Sequence, residues 1–189
     1  MRQAHLILVT GLPGTGKSTL ARALARHYGM PLICKDAIKE PLLDTFGAPN
    51  REDSRRLSNA SFAVMFSVLR DCAAAGTGVI LEGNFRPGEH ERPLLESSAA
   101  RVAQILCSVA EPVRIERLKA RATDPARHPG HRDAEFVASY TQCATGFLDL
   151  DGERLTFDTH ESSTSPLAAP LEMLIYALDR WRNNGSQTL

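Results

Sequence analysis

A single run of residues, Gly11, Leu12, Pro13, Gly14, Thr15, Gly16, Lys17, Ser18 and Thr19, carries the plainest chemistry in this chain. It fits the pattern G-x-x-x-x-G-K-[ST], which cradles phosphate where it links a strand to a helix. The residue types explain why. Glycines let the backbone turn so that several N–H groups point inward at phosphate oxygens. A helix starting behind the loop adds the positive end of its dipole. The Lys17 ammonium suits the β- and γ-phosphates, and the Ser18 hydroxyl suits Mg²⁺. The pattern therefore implies a nucleoside triphosphate. A GTP-reading site ordinarily carries N-K-x-D, and the sequence contains no Asn-Lys pair. Asp44 to Gly47 fits D-x-x-G but follows no apolar strand, so the expected nucleotide is ATP, with Mg²⁺ as its counter-ion.

For such a loop to work, a strand must end at Gly11 and a helix must begin near Lys17. The sequence supplies both. Residues 5–10 are a buried strand by composition, and Leu20, Ala21, Leu24, Ala25 and Tyr28 recur on one helical face. Beyond them, short apolar runs alternate with longer helical patterns. Residues 31–34, 79–82, 102–109 and 154–158 read as strands, and 50–75, 89–99, 111–122, 134–147 and 167–181 as helices. Residues 123–133 hold Pro125, Pro129 and Gly130, which predicts a mobile loop, and 182–189 reads as a frayed end. Five strands with intervening helices predict an α/β fold, a three-layer α/β/α sandwich around a five-stranded parallel sheet. One domain over residues 1–189 is expected, with a small lid at about 114–133.

Composition narrows the partners. Basic residues number 22 and acidic residues 22, so the formal net charge is zero. A non-specific nucleic-acid binder usually shows a basic excess, which weighs against that class. The cysteines, Cys34, Cys72, Cys107 and Cys143, are widely spaced without a C-x-x-C pair, as in a reduced intracellular protein. The longest nearly apolar stretch, residues 61–69, is far short of the ~20 residues a membrane span needs. No secretory signal pattern precedes the glycine-rich loop, and a cytoplasmic location is expected.

With the loop in its strand–helix context, the sequence resembles the small P-loop kinases, the group of polynucleotide 5′-hydroxyl kinase, gluconate kinase, chloramphenicol phosphotransferase and zeta-type toxins. The resemblance implies a P-loop NTPase fold of the nucleoside-kinase type. It also implies an Asp just after the second strand that activates the acceptor hydroxyl, and Asp36 occupies that place. Phosphoryl transfer needs an in-line hydroxyl relieved of its proton late in the step, which suits a carboxylate there. Asp is also a favoured helix cap, so Asp36 has a structural alternative ahead of residues 37–40. Polynucleotide kinases carry an Arg three residues after this Asp. Here Lys39 keeps the charge and loses the bidentate fork, which weighs against a nucleic-acid acceptor.

The resemblance extends to Glu82, at the place where many P-loop enzymes hold Mg²⁺ through water with an Asp. Being one methylene longer, Glu82 is a candidate for either the metal or the acceptor, and Asn84 and Arg86 just beyond it are candidates for the acceptor pocket. Arg114, Arg117 and Arg121 form one stripe of a helix, with Ile115, Leu118 and Ala122 as the expected core side. Related kinases bring a lid arginine over the γ-phosphate; Arg121 is the first candidate, then Arg117, with Arg127 and Arg132 on the loop beside the nucleotide. His128 and His131 read as a shaped lid turn contacting substrate rather than as metal ligands. The stretch from Leu155 through Asp158 to Thr159 sits where relatives pack a loop against adenine. The implied activity is ATP- and Mg²⁺-dependent phosphorylation of a hydroxyl on a small molecule. Its rivals are a polynucleotide 5′-hydroxyl kinase and an ATP-binding regulatory protein with slow hydrolysis.

Overall fold

The computed structural model describes residues 4–97, 100–125, 128–131, 145–160 and 168–184. Five strands, β1 (His5–Thr10), β2 (Leu32–Cys34), β3 (Val79–Glu82), β4 (Arg101–Ser108) and β5 (Glu153–Asp158), form one sheet in the order β2-β3-β1-β4-β5. Every neighbouring pair is parallel, with Val9 opposite Glu82 and Ile105, and Cys34 also opposite Glu82. The helices are α1 (Lys17–Tyr28), α2 (Lys35–Phe46), α3 (Arg51–Ala74), α4 (Glu91–Ser97), α5 (Glu111–Ala122) and α6 (Ala168–Asn184).

The alternation along β1 builds both layers. Ile7 and Val9 face one side, packing with Leu20 and Leu24 of α1 and with Leu174, Leu178 and Trp181 of α6. Leu6 and Leu8 face the other, against Phe62, Met65, Phe66 and Leu69 of α3 and Leu94 of α4. A strand covered on both faces reads as a continuous apolar run, which is why residues 6–9 show no polar alternation. The three-layer α/β/α sandwich is therefore the observed fold. Because all five strands are parallel, their C-terminal ends open on one edge, where ligands of open α/β sheets gather.

Several local expectations need correction. Helix α2 begins directly after β2, a segment that the periodicity left unassigned. It starts at Lys35 with Cys34 as its N-cap and no side-chain cap, so Asp36 lies inside the first turn rather than capping it. The cap falls instead on Asn50, whose side chain accepts from the Asp53 N–H at 3.0 Å and starts α3. Helix α6 continues through Asn184, past the predicted frayed end at 182, and the Arg182 guanidinium lies 4.6 Å over the Tyr28 ring. Of the predicted helix 134–147, residues 145–147 are not helical and 134–144 lie outside the described residues. On α5, Ala122 is exposed while Arg114 and Leu118 are buried, so the core face runs through the basic stripe itself. Residues 128–131 carry a short 3₁₀ turn, Pro129–His131, set against α2. Among the described residues no helix is long and apolar enough to cross a membrane.

Candidate active site

The loop between β1 and α1 takes the shape its glycines allow. Gly11, Gly14 and Gly16 have φ of 138°, 86° and 78°, values that L side chains rarely adopt. Space is equally restrictive at Gly14, where an added Cβ would lie 3.1 Å from the Arg114 Cγ and 3.2 Å from the Leu118 Cγ. Gly16 is the N-cap of α1 and offers no side-chain cap, so the helix presents its first turn to the loop. Thr15 Oγ1 donates to the Leu12 carbonyl at 2.7 Å, and the Lys17 ammonium donates to the same carbonyl at 2.9 Å.

Three other predicted residues, Asp36, Glu82 and Arg121, act on that ammonium. Burial pushes the Lys17 pKa down; the Glu82, Cys107 and Asp36 groups push it back up, and Arg121 lowers it further. Positions 36, 82 and 121, far apart in the chain, thus each bear on the Lys17 charge. Glu82 is buried at the end of β3 and accepts from the Ser18 hydroxyl at 3.2 Å. On the other side of Glu82 lies Cys34, whose thiol is pushed up to about 12 by burial, by the Glu82 charge and by a hydrogen bond to it. Cys107 is likewise pushed up to about 12, chiefly by burial. Both thiols are protonated at neutral pH and serve as packing.

Asp36 is half-buried, with Lys35 Nζ 3.2 Å from its Oδ1 and His131 Nδ1 3.9 Å from its Oδ2. Lys39 is buried and donates to Ser54 Oγ at 2.7 Å, tying α2 to α3. Asn84 and Arg86 follow β3 and are half-buried. The Arg86 side chain pairs with Glu89 at 3.2 Å, and its backbone N–H donates to His90 Nδ1 at 2.8 Å. His90 itself is buried in an aromatic cluster, 4.2 Å from Phe62 by ring centroids, and burial holds its pKa below 6.5.

Arg114 is buried beside Gly14; among the described residues its Nη1 has no hydrogen-bond partner, and Nη2 lies 3.7 Å from Glu111. Arg117 forks onto Thr159, donating to its hydroxyl at 3.0 Å and its carbonyl at 2.9 Å. Thr159 in turn sits against Gly16, where an added Cβ would come within 3.2 Å of its Cγ2. Arg117 therefore holds Thr159, just after β5, against the phosphate loop. His128 and His131 engage Asp44 at 2.9 Å and Glu40 at 2.7 Å. Among the described residues no group of three or more metal-ligating side chains is assembled. Arg127 and Arg132 lie outside the described residues.

Sequence reasoning missed the burial of Arg114, the Arg117–Thr159 fork and the role of His90 behind Arg86. The signal for the first was present: a glycine at 14 leaves room for the Arg114 stem, but only the packed structure pairs the two positions.

A phosphate-binding loop opening on the C-terminal edge of a five-stranded parallel sheet defines a P-loop nucleotide-binding fold of the kinase type. The chain belongs to the small P-loop kinase family, and a family model described as AAA domain matches residues 6–143. The chain is 33% identical over 161 residues to the uncharacterized protein Rv2004c of Mycobacterium tuberculosis, covering 79% of this chain and 32% of the relative. It thus spans about a third of the length of the curated relatives it matches. A crystal structure of a “putative kinase” from Chloroflexus aurantiacus superposes with a TM-score of 0.79 at 31% identity, covering 93% of this chain and 98% of that one. A gluconokinase from Sinorhizobium meliloti shares the fold at TM-score 0.62 and 18% identity, covering 100% of this chain and 99% of its own. A shikimate kinase from Bacteroides thetaiotaomicron does so at 0.55 and 19%, covering 94% of this chain and 99% of its own.

Proposed function

We propose that this protein transfers the γ-phosphate of ATP to a hydroxyl group of a small molecule, with Mg²⁺ as cofactor. The observation that carries the reading is the glycine-shaped loop between β1 and α1, with the Ser18 hydroxyl 3.2 Å from the Glu82 carboxylate at the C-terminal edge of the sheet. The residues fit the nucleotide. Gly11, Gly14 and Gly16 stand where a Cβ would strike the Cys107 carbonyl, Arg114 and Thr159 respectively, so the loop packs closely only as bare backbone, the form that turns N–H groups to a phosphate, and a desolvated ammonium follows it. They also fit the metal: the Ser18 hydroxyl and the Glu82 carboxylate are hard oxygen donors held together. Mg²⁺, when bound there, neutralises charge developing on the β- and γ-phosphate oxygens.

The loop backbone from Gly11 to Thr19 and the Lys17 side chain hold the triphosphate. Asp36 orients the acceptor hydroxyl and takes its proton, while Arg121, at the end of α5 and within the field of Lys17, stabilises the transferring group. Arg117 is the second candidate there and braces the segment at Thr159 beside the nucleotide. Asn84 and Arg86, just beyond β3, line the acceptor side together with Lys39 of α2. One domain with a small lid at about 114–133, carrying Arg127 and Arg132, completes the reading.

The deciding experiment is ATP consumption with Mg²⁺ against a panel of sugars, sugar acids, nucleosides, aminoglycosides and oligonucleotide 5′-hydroxyls, with products identified by mass. Stimulation by a small hydroxyl compound and a product heavier by one phosphoryl group are expected. Turnover with the oligonucleotide alone would favour a polynucleotide kinase. Slow ATP loss unaffected by every acceptor would favour a regulatory ATP-binding protein.

A further inference from the structure

The turn at residues 128–131 is fastened to one face of α2 by three contacts. His131 Nε2 lies 2.7 Å from Glu40 Oε1, His128 Nε2 lies 2.9 Å from Asp44 Oδ1, and Gly130 packs on Leu43, whose Cδ1 would be 2.8 Å from an added Cβ. Asp36, Glu40 and Asp44 are four residues apart in succession, so they share that face. The two histidines are not equivalent. His128 Nδ1 accepts from the Gly130 N–H at 3.0 Å, which leaves the hydrogen on Nε2 for Asp44. His131 spends Nε2 on Glu40, and because an ionised carboxylate only accepts, that nitrogen carries the hydrogen. Its other nitrogen, Nδ1, faces Asp36 Oδ2 at 3.9 Å, an ion-pair distance too long for a hydrogen bond. The ring is buried, with only 6% of the side chain exposed.

From this geometry we infer that His131 is a positioning residue for phosphoryl transfer: it ties the orientation of Asp36 to the docking of the 128–131 turn. The inference rests on the reading of Asp36 as the group that receives the acceptor proton. In that step the acceptor oxygen bonds to the γ-phosphorus and the bond from that phosphorus to the bridging oxygen breaks. The electron pair leaves on ADP, and the hydroxyl proton passes to Asp36. With Nδ1 protonated, Asp36 is flanked by Lys35 at one oxygen and by His131 at the other. With Nδ1 deprotonated, a lone pair faces the carboxylate and the second restraint is lost. Among the described residues, the groups that face His131 include Asp36 and Glu40, with Lys35 beyond Asp36 and the His128 ring 5.9 Å away, itself paired to Asp44.

The test is an NMR titration of the His131 ring in the full-length protein carrying ¹³C-labelled histidine, for wild type, Asp36→Asn and Glu40→Gln, alongside acceptor-stimulated ATP consumption by wild type and His131→Gln across the same panel of hydroxyl compounds. Removing the Asp36 charge is expected to lower the His131 midpoint by about one unit, the usual effect of losing an opposite charge at this range. His131→Gln keeps a donor for Glu40 but nothing for Asp36. It is expected to lower turnover about tenfold or more, with the KM for ATP unchanged and unaltered exchange protection at residues 128–131. A His131 midpoint that moves in Glu40→Gln but not in Asp36→Asn would overturn the inference, leaving the turn latched to Glu40 alone. So would wild-type turnover in His131→Gln. A wild type whose ATP turnover no hydroxyl compound of the panel stimulates would instead defeat the kinase reading itself, and that control shows which has failed.

Discussion

Replacing Lys17 by Met separates what the ammonium does for the fold from what it does for the nucleotide. In the structure its ammonium donates to the Leu12 carbonyl at 2.9 Å, and burial holds its pKa below 10.5 despite Glu82, Cys107 and Asp36 nearby. The folded pKa lies below the unfolded one, so between the two values the unfolded chain binds more protons and wild-type stability rises with pH. Below that window the full cost of the desolvated charge is present. Lys17→Met keeps the stem and removes the charge, so it is expected to match or exceed wild-type stability at about pH 7. Its advantage should shrink as pH climbs toward the ordinary lysine value of 10.5. Binding should move the other way. Hydrogen bonds to a charged group are worth about 1.5–3 kcal/mol, so ATP affinity should fall by about 10- to 150-fold. Turnover should fall by about 10² to 10³, as for removal of one donor that meets charge developing in the transition state. Calorimetry with a non-hydrolysable ATP analogue and Mg²⁺ reads the affinity, and thermal denaturation across pH reads the stability. A folded Lys17→Met protein with ATP affinity within about twofold of wild type would refute the reasoning.

Asp36→Asn is expected to cut acceptor phosphorylation by about 10² while leaving ATP affinity in place; a lower melting temperature with normal turnover would make the residue structural. Gly16→Ala puts a side chain at φ 78° and 3.2 Å from Thr159, so urea denaturation should register a loss of about 1–2 kcal/mol or more, with weaker ATP binding. Arg121→Lys keeps the charge that Lys17 feels but loses the planar fork, and steady-state kinetics should show a larger drop in kcat than in ATP affinity.

The phosphate loop was legible because its chemistry demands residue types at fixed spacing, and its flanks must be a strand and a helix. The strands were legible for a related reason: buried parallel strands read as apolar runs, and residues 6–9, 79–81 and 105–107 say so directly. Asp36 and Glu82 could be nominated because each follows such a run on the edge where ligands gather. What remained hidden was non-local. A helical wheel gives the spacing of Arg114, Leu118 and Arg121 but not which stripe meets the sheet, and only the missing Cβ of Gly14 admits the Arg114 stem. Helix α2 carries Pro41 and a weak apolar pattern; it is held by β2 before it, by Lys39 on Ser54, and by histidines 91 and 84 residues away in sequence. Buried polar pairs of that kind leave no periodic trace. Gln104 is another, since its side-chain amide trades two hydrogen bonds with the Leu148 backbone from the middle of β4.

The Glu at position 82, rather than a shorter Asp, acquires a reason from the same geometry. Val9 and Cys34 both stand opposite Glu82 in the sheet, and its side chain still reaches the Ser18 hydroxyl on α1 at 3.2 Å. Ser18 is the donor in that bond, because the carboxylate only accepts. Its hydrogen is therefore fixed toward Glu82 and its lone pairs are turned elsewhere, as a hydroxyl must be to ligate a cation. An Asp ends one methylene sooner, so its carboxylate would stand farther from a hydroxyl that Glu82 meets at 3.2 Å. In the proposed reading, Glu82 thus serves the metal through Ser18, which leaves the acceptor proton to Asp36, the carboxylate flanked by Lys35 and His131.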